Sequence, residues 1–160
     1  MKRSVAGLLV VAAILFGACS NDPSEGQPEP EPSSTFRRGT AIIETDGGAV
    51  MVEIEVADSP ELQERGLMSR ETLDDDAGML FLFFEDTESS FWMKDTLIPL
   101  SIAFFDRDGY IVKILDMEPC DADPCPFYAP GTAYRGALEV NLGAFDDWAV
   151  EVGDRIRVSP

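Results

Sequence analysis

The groups that could do chemistry in this chain are Arg65, Arg70, Trp92, Met93, Lys94, Asp95, Glu139 and Asn141. Phe91-Trp92-Met93-Lys94 puts two large aromatics, a thioether and a cation into four consecutive residues. Such a cluster suits an apolar cleft floored by Trp92, in which Lys94 and Arg65 meet a carboxylate, a phosphate or a sugar hydroxyl. The same residues also fit a structural role, with Trp92 and Met93 packing a core and Lys94 and Arg65 paired to carboxylates. A buried pair of that kind needs its full set of partners. The chain has no histidine. This removes the usual general base, the Ser-His and Cys-His pairings and the commonest zinc ligand.

Other candidate chemistries are weaker. Ser89 or Ser90 with Lys94 would make a Ser-Lys dyad, but the local sequence predicts a turn and strand without a strained elbow. Asp106-Arg107-Asp108-Gly109 has part of a calcium loop and lacks its distal Glu. Turn chemistry accounts for it. Asp74-Asp75-Asp76 are consecutive carboxylates that do not converge by themselves. Paired carboxylates could hydrolyse a glycosidic bond, yet 30 Asp and Glu residues make any chosen pair uninformative. No catalytic residue, metal site or cofactor is therefore assigned.

Cys120 and Cys125 are the only cysteines besides Cys19. In an exported chain they predict a disulfide, which would stiffen its short loop and stabilise by about 2 kcal/mol in the chain-entropy account. A metal site from Cys120, Asp121, Asp123 and Cys125 competes with that oxidation and lacks His. The spacing is not Cys-x-x-Cys, which argues against a thioredoxin-like role.

The compartment follows from the first residues. Lys2 and Arg3 precede an apolar run from Val5 to Phe16, too short to span a membrane comfortably. Phe16-Gly17-Ala18-Cys19 then resembles a bacterial lipobox, with Phe where Leu is usual. The expectation is a signal peptide over 1–18, lipid attachment at Cys19 and a disordered linker over 19–35. The linker's Pro-Glu repeats favour polyproline II and could reach roughly 40–50 Å. Ser20, not Asp, follows the cysteine. That predicts an extracytoplasmic, membrane-anchored lipoprotein, placed in the outer membrane if the organism has one.

The net charge of −18 becomes about −20 once Lys2 and Arg3 are removed. Nucleic acid is then a disfavoured partner, and the membrane is met through the anchor only. An envelope glycan or protein remains a candidate partner; the oligomeric state is open.

One globular domain, 36–160, must position the candidate residues. Thr40–Thr45 and Ala49–Ala57 flank Asp46-Gly47-Gly48 as a hairpin. Val50, Val52, Ile54 and Val56 alternate with polar positions, which predicts a half-buried strand. Ser59-Pro60 starts a short helix that Gly66 ends. Gly78–Phe84 and Leu100–Asp106 read as buried strands, with Pro99 at the start of the second. Asp106–Gly109 turns into a return strand, Tyr110–Met117. Glu118–Ala133 reads as an irregular loop. Leu138 and Val140 oppose Glu139 and Asn141 on a later strand. A helical turn near Phe145–Val150 and a last strand at Arg155–Val158 follow. The fold class expected is α+β, mainly β: a small mixed, barrel-like antiparallel sheet with one or two short helices.

Arg65-Gly66-Leu67-Met68, Gly78-Met79-Leu80-Phe81, Phe91–Leu100, Ala137–Asn141 and Gly153-Asp154 occur in an order and spacing that resemble one family, domain of unknown function 192. The resemblance covers about residues 40–158. It implies a small, mainly β domain, often exported, and supplies no functional residues. The family usually has Asn at the position of Asp95. The Cys120–Cys125 segment and the lipobox are features of this chain. Together these readings favour a non-enzymatic, envelope-exposed binding or accessory domain for a glycan, a peptide or an envelope protein. The alternative is a His-independent carboxylate hydrolase or lyase acting on envelope polymers.

Overall fold

A computed structural model describes residues 35–159. The expected signal peptide, Cys19 and nearly all of the expected linker lie outside the described residues. The chain opens with a hairpin, β1 (Arg37–Thr45) and β2 (Gly48–Ala57). The helix α1 (Pro60–Arg65) follows; Ser59 Oγ accepts from the Leu62 N–H, and Gly66 ends it at φ 44°. Proline at the first helical position and a capping serine are what start it there.

Next come β3 (Ala77–Thr87), β4 (Phe91–Trp92), β5 (Leu100–Phe105), β6 (Ile111–Met117) and β7 (Phe127–Tyr128). The last elements are β8 (Tyr134–Asn141), α2 (Ala144–Asp147) and β9 (Arg155–Ser159). Seven strands form one sheet in the order β6-β5-β8-β3-β2-β1-β9, and β4 and β7 form a separate ribbon. Only β2 and β3 pair in parallel, joined through α1; the other pairs are antiparallel. The fold is thus mainly β with two short helices around a mixed sheet.

The sheet curls without closing into a barrel. Its edge strands approach at one corner, where Tyr110 bridges Arg155 and the Ile156 N–H donates to Gly109 O at 2.8 Å. A Cβ on Gly109 would stand 2.4 Å from Ile156 O, so this corner requires glycine. The curl encloses a core drawn from all seven strands, including Ile43, Val52, Leu80, Phe105 and Leu138, with Phe145 of α2. The opposite face carries a second core, including Phe81, Met93, Ile102, Phe104 and Tyr134. Every residue of β5 is buried, as its unbroken apolar run requires of a central strand.

Two segments depart from the sequence reading. β3 is buried on both faces only in its first half; its register shifts beyond Leu82, and Phe84 is 95% exposed. The run Phe91–Leu100, whose aromatic and apolar residues suit a core strand, does not form one. Phe91 and Trp92 form β4, Lys94 and Thr96 make only single bridges to Cys120, and Asp95 at φ 53° and Pro99 keep the run from continuing as a strand before β5.

Candidate functional site

β2, β3, β8 and β5 build the floor beneath the predicted residues. Glu55 pairs with Met79, Met79 with Glu139, and Glu139 with Ile102. Directly paired residues share a face, so these four form one row across the sheet. Asn141 lies on the same face as Glu139. Its amide donates to the carbonyls of Leu73 (3.0 Å) and Asp74 (3.1 Å), tying the loop before β3 to β8. Glu139 is only 5% exposed between the fully buried Met79 and Ile102. Burial raises its pKa from 4.5 to about 8, so the carboxyl holds its proton at neutral pH.

The stretch after β4 wraps over this face. Alternation sends Phe91 inward, edge-on to Phe81 at 4.9 Å and Phe104 at 5.6 Å. Trp92 points outward and lies within 3° of parallel to Phe127, with centroids 6.3 Å apart. Trp92 is 42% exposed and Phe127 71%, so Trp92 is part of a surface ridge and floors no cleft. Met93 returns to the core. Asp95 adopts the left-handed conformation that Asn and Asp tolerate best, which accounts for an Asx residue there. Its N–H donates to Cys120 O, and its carbonyl accepts from the Ser69 N–H at 2.8 Å.

Lys94 neither faces an empty cleft nor lies in a closed core. Its Nζ meets Asp123 Oδ2 at 2.9 Å, and its side chain is a quarter exposed. The hydrogen bond to Asp123 is the main cause of its raised pKa, with the charges of Asp123 and Asp95 adding to it. Asp123 sits in the loop closed by the Cys120–Cys125 disulfide, which forms as expected. The two thiols are therefore not available as metal ligands. A Ser-Lys dyad is not assembled either: Ser89 Oγ contacts Thr87 Oγ1, and Lys94 is taken by Asp123. Asp106 Oδ1 accepts from the N–H groups of Asp108 and Tyr110, which is turn chemistry.

The arginines stand apart from this ridge. Arg70 pairs with Glu55, whose other oxygen lies 3.7 Å from Arg38. Arg65 lies 4.2 Å over the Phe36 ring. A groove of about 260 Å³ is lined by Arg38, Glu53, Glu55, Arg70, Leu73 and Asp74, among others. The predicted cluster thus divides into an aromatic ridge beside the disulfide loop, an arginine groove, and a buried floor with Glu139. Sequence reasoning missed Phe127, Asp123, Arg38 and Glu55 as partners. Glu55 alone carried a signal, standing on the polar face of an alternating strand.

The crystal structure of a Sinorhizobium meliloti protein, provisionally titled a transcription regulator, matches with a TM-score of 0.73 at 29% identity, covering 79% of this chain and 98% of that one. A Novosphingobium aromaticivorans protein of unknown function matches with a TM-score of 0.71 at 26% identity, covering 83% and 94%. No curated protein matches. The profile of DUF192, described as "Uncharacterized ACR", matches residues 41–158. On that match across nearly the whole described domain, the chain belongs to the DUF192 family.

Proposed function

We propose that the protein is a non-enzymatic binding domain, held on the outside of the cell membrane by a lipid at Cys19, which docks envelope glycan through Trp92 and Phe127. The observation that carries this reading is the ridge itself. Two aromatic rings stand exposed and nearly parallel on a two-stranded ribbon. Exposing apolar rings costs hydration free energy, which a ligand with a flat apolar face recovers. A pyranose ring has such a face. The ribbon is braced by the disulfide loop and by Lys94–Asp123, so the rings are held in place before binding. The lipobox-like start, the Pro-Glu linker and the disulfide all suit an exported location. A role on DNA is opposed by the net charge of −18, which repels the phosphate backbone.

The test is co-sedimentation with insoluble cell-wall polysaccharide. The wild-type chain should be retained, and Trp92→Ala with Phe127→Ala should be lost from the pellet without a change in melting. Equal retention of the variant would overturn the ridge as the binding surface. Acyl label should enter the wild-type chain and not Cys19→Ala.

A further inference from the structure

We propose that the groove around Glu55 binds a small zwitterionic peptide, of dipeptide size, with a free carboxylate and a free ammonium group. This site is separate in chemistry from the aromatic ridge and does not depend on it. The groove of about 260 Å³ adjoins a second of about 340 Å³, and Arg38 and Glu55 line both. In a chain with 12 cations against 30 carboxylates, the convergence of Arg38 and Arg70 on one groove is not what a solvated acidic surface produces.

The two arginines already hold a carboxylate there, that of Glu55, one oxygen to each. Arg38 has capacity left: its contact is long, at 3.7 Å, and its side chain is 86% exposed. A guanidinium carries five N–H donors in a fork that fits a second carboxylate. Farther along the groove the charge reverses. Glu53 stands two residues from Glu55 on the same face of β2, and Asp74 joins it in the lining. Asp74 is held by its own backbone, whose carbonyl accepts from Asn141 and from the Ala77 N–H.

The register sets the spacing. Arg38 is paired opposite Glu55, so Glu53 stands two residues, about 6.8 Å, farther along the strand from the arginine end. The ammonium and carboxylate of a dipeptide lie across one peptide unit, roughly 6 Å apart, whereas those of a free amino acid are closer. Leu73 supplies an apolar wall for a small side chain.

The experiment titrates the full-length chain in detergent micelles with Ala-Ala by calorimetry. Acetyl-Ala-Ala, Ala-Ala amide and sodium acetate are the controls. Ala-Ala should bind, and blocking either end should weaken binding about tenfold or more, the loss of one charge-assisted contact. Arg38→Gln should weaken Ala-Ala to a similar degree. Glu53→Gln should weaken Ala-Ala and leave acetyl-Ala-Ala unchanged. Both side chains are exposed, so folding is not at stake, and an unchanged melt verifies it. No binding of Ala-Ala overturns the proposal. So does equal binding of the blocked peptides, or competition by acetate at the same concentration, which would mark a simple anion site.

Discussion

The two faces of the sheet are built by different rules. The enclosed face takes its side chains from seven strands and α2, and its core is apolar except at Ser101, which donates to Asp116 at 2.6 Å and accepts from the Gly143 N–H at 2.9 Å. Gly136 shows how tightly the strands pack: a Cβ there would lie 2.3 Å from the Phe105 ring. The other face is covered by α1 and irregular chain, and it holds Glu139, Asn141 and the ion pairs of Lys94 and Arg70. The enclosed face is therefore mostly a matter of apolar packing. The covered face accepts polar groups because loops can bring backbone partners to them, as Leu73 and Asp74 do for Asn141.

The largest expected difference between the faces is a pH dependence centred on Glu139. Its carboxyl titrates near 4.5 in the unfolded chain and near 8 in the folded one. Below 4.5 both states hold the proton and nothing is lost. Between those values only the unfolded chain releases it, so stability falls as pH rises and levels off above about 8. The upper bound on this loss is about 5 kcal/mol. Denaturant melts from pH 4.5 to 9 should show the slope, and Glu139→Gln should flatten it. An unchanged slope in the variant would mean that other groups dominate.

On the enclosed face, Phe145→Ala should cost about 3–5 kcal/mol by opening a cavity, with the same cost at pH 5 and pH 8. A pH-dependent cost would erase the contrast. Returning to the covered face, Cys120→Ser with Cys125→Ser should cost about 2 kcal/mol. It should also move Trp92 emission to the red as the ribbon loosens. The smallest effect is expected for Lys94→Ala, which should leave the melting temperature nearly unchanged, since its partner Asp123 is exposed. A large loss would show the pair to be buried in solution.

The enclosed face was legible because alternation encodes it directly. Val52, Ile54 and Val56 in β2, and Leu138 and Val140 in β8, all point into that core. The Ser59 cap and the turns at Gly47 and Gly109 were equally local signals. The covered face was not legible for the opposite reason. Alternation places Glu139 away from Leu138 but cannot say that loops will cover it. Lys94 finds Asp123, 29 residues away, through a disulfide loop whose path has no periodic pattern. β7 is two residues long and is defined only by its pairing with β4. Phe91–Leu100 is apolar enough to read as a strand, and only the backbone angle at Asp95 reveals that it turns.

The pairing of Thr40 with Ser159 sets the timetable of folding. β9, which pairs with β1, comes last among the described strands, so this sheet stays unfinished until almost all of its strands are present. Joining ends so distant in sequence costs loop-closure entropy before any contact repays it, which slows such topologies. Until β9 arrives, the outer edge of β1 offers unpaired N–H and C=O groups to any other extended chain. The nascent domain is therefore most open to mispairing just before completion, and β9 acts as the closing strip that ends this exposure.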